Sequence, residues 1–183
     1  VRWDALFLDL ESQFAAADLI AVENEIAERR RLEQASVPLM DRLRGQTGSV
    51  VRIRTRCGTV FSGAVHHVGA QWLVLDTGSG PAMIPATAIG SVEGLGRHTA
   101  PARSAVTARL GLGSVFRAFA RDRTPLTIQL AADGARINGT IDRVGRDFLE
   151  LASVPSGELR RTDSVAAVLL IPFSSVDAVL SPA

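Results

Sequence analysis

The sequence predicts an α+β protein: a long N-terminal α-helix followed by two tandem small five-stranded β-barrels joined by a helical linker. Three observations predict it. Gly58, Gly63 and Gly69 are spaced five and six apart, and Gly134, Gly139 and Gly145 repeat that spacing. The run FSGAVHHVGAQWLVL, Phe61 to Leu75, reads against INGTIDRVGRDFLEL, Ile137 to Leu151. Each copy then closes on one pattern, Ile84-Pro85 with Ile89 and Val92, and Ile171-Pro172 with Val176 and Val179. This is an internal duplication. It divides the chain into 1–45, an N-terminal helical segment; 46–92, the first barrel; 93–124, a basic loop and helical linker; and 125–183, the second barrel.

Trp3, Phe7, Leu10, Phe14, Ala17 and Ala21 alternate steps of four and three, the apolar period of a helix, and no Gly or Pro precedes Pro38. A second stripe, Leu19, Val22 and Ile26, is rotated from the first. Pro38 kinks or ends the helix. Leu39 to Arg44 is a last helical stretch, stopped by Gly45 and Gly48. The seam of Trp3, Phe7, Leu10 and Phe14 suits burial on its own barrel or contact between protomers, and it is the expected homo-oligomer contact.

Val50 to Val92 reads as five short strands. Val51, Ile53 and Thr55 alternate with Arg52, Arg54 and Arg56, the period-two pattern of a strand with one buried face. Cys57-Gly58 and Gly69 turn the chain, Gly63 permits a bend, and two strands flank Pro85. Five bent strands in so short a span predict closure, which removes exposed edges. In the linker, Ser114 is the expected cap of a helix with Val115 and Phe119 inward and Arg117 and Arg121 outward. The second copy carries extra residues around Val154 to Ser164, expected as an exposed loop with Arg160 and Arg161 near its tip. After them, Val165 to Ile171 is apolar at every position, so something beyond its own core is expected to cover that strand.

Of the 183 residues, 46% are hydrophobic and 21% charged, the composition of a soluble protein. The longest wholly apolar run, Val165 to Phe173, is about half of a membrane span, and no signal-peptide pattern opens the chain. A single cysteine, Cys57, allows no internal disulfide. A cytoplasmic protein is expected. The net charge of +1 hides an asymmetry. Residues 1–45 hold six Arg against nine acids, 46–124 nine against three, and 125–183 five against seven. A basic middle third is what a polyanion-binding surface requires, although an all-Arg, Lys-free basic set also follows from a GC-rich genome.

The run Gly-x-x-apolar-x-Gly-x-apolar-x-x-apolar-Gly, followed by an aromatic and Leu-x-Leu, resembles the first motif of the Sm-like family of small SH3-like barrels. It is carried by Gly58, Phe61, Gly63, Val65, Val68, Gly69, Trp72, Leu73 and Leu75, and again by Gly134, Ile137, Gly139, Ile141, Val144, Gly145, Phe148, Leu149 and Leu151. The resemblance implies small barrels and RNA binding. Gly69 and Gly145 stand where that family commonly has Asp, and Ile84-Pro85 and Ile171-Pro172 replace its apolar-Arg-Gly motif. The terminal domains of biotin ligases and of a ribosome maturation factor look similar over the same span. The whole arrangement also resembles an uncharacterised Arg-rich family of GC-rich bacteria.

Catalytic and metal chemistry find little to stand on. His66 and His67 are adjacent on a strand and expected on opposite faces, His98 is the only other histidine, and Cys57 is alone, so no zinc set forms. Gly111-x-Gly113 lacks the remainder of a phosphate-binding or dinucleotide motif. Asp142 and Asp147 have His66 and Gln71 as counterparts, so no carboxylate pair recurs. Trp72 and Phe148 suit core packing or base stacking. The expectation is a non-enzymatic binding module without cofactor or metal. Its leading ligand is RNA or another polyanion, held by Arg52, Arg54, Arg56, Arg117 and Arg121; the alternative is a protein-interaction or assembly scaffold.

Overall fold

The computed structural model describes residues 23–102, 104, 110–153 and 167–181. The chain divides after Pro38, and both repeats belong to the unit that starts at Leu39. Before that point, residues 23–35 form a helix, α1, whose side chains are largely exposed, Leu32 and Ile26 among them. Its ion pairs, Arg29 with Glu25 and Arg31 with Glu28, are solvent-facing and contribute little. The helix stops ahead of Val37-Pro38, because proline lacks an N–H and pushes the residue before it out of the helical region. α2, Leu39–Arg44, then starts anew. The break at Pro38 and the helical stretch after it are as expected, but the expected long N-terminal helix is corrected: among the described residues the helix before Pro38 covers only residues 23–35. Trp3, Phe7, Leu10 and Phe14 lie outside the described residues.

The first repeat contributes β1, Val50–Thr55; β2, Val60–Val68; β3, Trp72–Thr77; β4, Gly80–Pro85; and β5, Ile89–Glu93. Helix α3, Leu112–Arg121, is followed by the second set: β6, Leu126–Leu130; β7, Arg136–Val144; β8, Phe148–Ser153; β9, Ala167–Pro172; and β10, Val176–Leu180. The duplication reaches the level of register. Trp72 stands opposite Pro85 and Phe148 opposite Pro172, and Gly63 opposite Thr77 and Gly139 opposite Ser153. Even the bulges recur, at His66 and Asp142 and again at Gly90 and Asp177. The recurring glycines serve close approach. A Cβ on Gly63 would lie 2.3 Å from the Asp76 carbonyl oxygen, and one on Gly139 2.2 Å from that of Ala152.

The two repeats do not make two closed barrels. All ten strands form one antiparallel sheet in the order β5-β1-β2-β3-β4-β10-β6-β7-β8-β9. Among the described residues no ladder joins β4 to β5 or β9 to β10; β4 pairs instead with β10, placing Met83 opposite Val179 and Ala82 opposite Leu180. The physical reason is that a strand edge offers the same row of N–H and C=O groups to any antiparallel partner, and here the neighbouring repeat takes the place of self-closure.

Each repeat keeps a core of its own, and the joint mixes them. Val51, Ile53, Val65, Leu73, Leu75 and Ile84 pack with Leu43 of α2 in the first, and Ala178 of the second repeat joins them. Ile128, Ile141, Leu149, Leu151 and Ile171 pack with Leu112 and Phe116 of α3 in the second, and Trp72 and Met83 of the first repeat join those. α2 lies against β2 and α3 against β7. The linker helix is thus an integral layer of the second repeat. It begins with Gly111 in the N-cap position and no side-chain cap, so Ser114 does not fill the expected role.

Candidate interaction surfaces at the joint and the sheet edges

The joint between β4 and β10 is short in backbone terms, and its side chains do most of the joining. Met83 and Val179 are each 4% exposed, and Trp72 is buried with its Nε1 donating to the Leu110 carbonyl at 2.9 Å. On one side of the joint lies an apolar groove of about 230 Å³ lined by Val74, Pro81, Met83, Phe119, Leu126 and Val179. Another side holds a more polar cleft of about 430 Å³ that includes Thr77, Thr127, Arg136 and Asn138.

A buried polar cluster ties the first repeat's β1–β2 turn to β6 and β10. The Cys57 thiol donates to Asp177 Oδ2 at 2.8 Å, and Gln129 Nε2 lies 2.9 Å from that oxygen and 2.7 Å from Thr59 Oγ1. Arg136 Nε donates to Gln129 Oε1 at 3.2 Å, which orients the amide. Asp177 and Gln129 are almost wholly buried, and Asp177 Oδ1 has no hydrogen-bond partner among the described residues. Burial of such groups is tolerated because the donors converge on one carboxylate oxygen. Cys57 is committed to this contact, so it serves as a structural thiol.

These residues escaped the sequence reading, although a signal existed. In the register of the duplication Gln129 corresponds to Arg54 and Asp177 to Gly90, and positions where aligned copies differ in chemical type are where the copies have different neighbours.

The arginines expected as a binding site are divided by the fold. Arg52, Arg54 and Arg56 are exposed along β1 and the turn after it, and none makes an ion pair among the described residues. Arg52 stands opposite Ser62 on β2 and Glu93 on β5, and Arg54 opposite Val60 and Ser91. Arg117 and Arg121 are also exposed, but on α3 of the second repeat, with Arg121 paired to Asp122. The basic middle third is therefore shared between two repeats. Arg44, by contrast, is structural: it pairs with Asp41 and donates to the Gly69 carbonyl at 3.1 Å.

Trp72 is a core residue, and His67 stacks on it at 5.3 Å between ring centroids. Both His66 and His67 are exposed, the bulge at His66, between Val65 and His67, having broken the strict alternation. Among the described residues no three His, Cys, Asp or Glu side chains gather as a metal set, and no helix is long and apolar enough to cross a membrane.

Strand β9 is the exposed counterpart of β4. Leu170 corresponds to Met83 and Val168 to Pro81, and Val168 and Leu170 are 59% and 62% exposed. The sequence expects a cover over this strand; among the described residues the sheet ends there. The sequence matches no protein-family model and no curated protein, so function has to be read from this geometry.

Proposed function

We propose that this chain is a non-enzymatic assembly module of the cytoplasm that joins protein partners through the edges of its β-sheet. One observation carries the reading. Equivalent strands of the two repeats meet opposite fates: Met83 on β4 is covered by the next repeat, whereas Leu170 on β9 is bare. A long apolar edge left open is a liability that proteins cover or blunt, and β9 holds no charged residue. A partner that extends the sheet supplies the missing cover.

The exposed row of Arg52, Arg54 and Arg56 favours a second reading, binding of RNA or another polyanion. Guanidiniums spaced by two residues on a strand stand roughly 6.5–7 Å apart and suit successive phosphates. If that reading holds, replacing all three by Ala flattens the slope of log affinity against log salt by about 2.

A photoreactive residue introduced at Leu170, at Val92 on β5, or at Ser62 beside Arg52 separates the two in living cells. Assembly predicts protein adducts at Leu170 and Val92, and the polyanion reading predicts nucleic-acid adducts at Ser62. Glu28 on α1 serves as the control. Protein adducts no more frequent at the two edges than at Glu28 would remove the assembly reading.

A further inference from the structure

We infer that the polar cleft beside the joint is a binding site for a small organic carboxylate, held by the guanidinium of Arg136. The site is independent of what meets the edges of the sheet.

A buried acid sets its orientation. Asp177 and Gln129 are almost wholly buried. A carboxylate only accepts hydrogen bonds, so the Gln129 amide turns its Nε2 toward Asp177 Oδ2, at 2.9 Å, and reaches Thr59 Oγ1 at 2.7 Å. Gln129 Oε1 therefore faces the other way, where it accepts from Arg136 Nε at 3.2 Å. That bond occupies one guanidinium N–H. Those on the two terminal nitrogens have no hydrogen-bond or ion-pair partner among the described residues. Arg136 itself is exposed and lines the cleft. A guanidinium fork is thus anchored from below by a buried hydrogen-bond chain and presented to solvent, which lowers the ordering cost of the two parallel bonds a carboxylate makes to it.

The rest of the cleft suits such a ligand. Its volume of about 430 Å³ is that of a small-molecule pocket. Phe61, Pro81 and Leu180 give it an apolar wall for the body of the ligand. Thr127 and Asn138 give a polar wall, fixed by the Thr127 hydroxyl donating to Asn138 Oδ1 at 2.6 Å. Arg136 is the one charged residue among the described lining. A single guanidinium balances a carboxylate, whereas a phosphate dianion would keep one charge uncompensated.

The duplication provides a comparison within the chain. In its register Arg136 corresponds to Val60, and Leu180 to Glu93. The equivalent place at the β5 end of the sheet therefore lacks the guanidinium and carries a carboxylate of its own, which repels an anion. One site per chain follows, at the joint alone.

The test titrates the isotope-labelled, nuclease-treated full chain with benzoate, benzamide and phenyl phosphate, read by amide chemical shifts. Benzoate should move the amides of Phe61, Thr127 and Asn138 along one saturating curve with a Kd of about 1 mM, an ordinary strength for so few atoms. Benzamide, which has the shape without the charge, should bind about tenfold more weakly or worse, and so should benzoate on Arg136→Gln. Arg136→Lys keeps the charge without the fork and should weaken benzoate about threefold or more. Gln129 is a positioning residue: the Arg136 Nε–H should exchange slowly with water, and Gln129→Met should speed it to the rate of Arg52 and weaken benzoate about threefold. Because Arg136 is exposed, its variants should melt with the parent, so they decide the matter even where Gln129→Met fails to fold. The site is overturned by the absence of a saturable benzoate shift up to about 20 mM, and equally by binding that ignores Arg136→Gln or the loss of charge. Phenyl phosphate binding more tightly than benzoate overturns the carboxylate assignment. Under any of these outcomes, protein adducts at Leu170 and Val92 would still support the assembly reading.

Discussion

Met83 and Leu170 occupy the same position of the two repeats, and truncating each to Ala measures what the neighbouring repeat contributes. Met83 is 4% exposed and packs with the second repeat's core, so its loss removes apolar contacts and leaves a cavity at the joint. Buried Met or Leu to Ala substitutions cost about 2–5 kcal/mol. With a urea m-value of about 2 kcal/mol/M for a domain of this size, Met83→Ala should lower the unfolding midpoint by about 1–2.5 M. Leu170 is 62% exposed, so its truncation in a dilute monomer should fall within about 0.5 kcal/mol of no effect, or about 0.25 M. Urea titrations followed by circular dichroism at about 1 μM protein give the comparison. Equal costs at low concentration would refute the reasoning, because they would mean that position, and not cover by the next repeat, sets the energy.

Three further outcomes follow from the packing. Gly63→Ala drives a Cβ to 2.3 Å from the Asp76 carbonyl oxygen, and backbone yields poorly, so a cost of about 3 kcal/mol and a fall in Tm of about 6–12 °C are expected; Gly78→Ala, with open space around it, should melt with the parent in calorimetry. Asp177→Asn preserves an acceptor for Cys57 and Gln129 and removes a buried charge, so chemical denaturation should show it within about 1 kcal/mol of the parent, whereas Asp177→Val should cost about 1–3 kcal/mol. Trp72, isolated by Trp3→Phe, should emit at short wavelength and resist acrylamide quenching, since it is 7% exposed and hydrogen-bonded; emission like that of free tryptophan would place it outside the core.

Local chemistry made much of the fold legible. The period-two run around Val51, Ile53 and Thr55 declared a half-buried strand, and its arginines are exposed as that alternation requires. Paired glycines ahead of Trp72 and Phe148 declared two copies of one unit, and the ladders repeat residue by residue. The break in the helix was legible too: Pro38 announced it, and the structure puts a helical piece on either side, the second at Leu39–Arg44 as expected. The candidate site was legible only in part. Arg52, Arg54 and Arg56 were named from their spacing, but the division of the basic segment between β1 and α3 depends on which strands each helix covers.

By itself the sequence determined the duplication, the places of most strands, the glycines on which close approach depends, and the apolar excess of Val165 to Ile171. Only the tertiary structure decided that β4 pairs with β10, that β5 and β9 end the sheet, and that Cys57, Gln129 and Asp177 share a buried carboxylate contact. The reason is physical. Periodicity and turn chemistry are set by residues a few positions apart, whereas an edge strand's choice between closing on its own repeat and joining the next is made by backbone groups that are alike in every strand. Side chains decide that choice only through contacts between residues as distant in the chain as Met83 and Val179, and those contacts exist only once the sheet has formed.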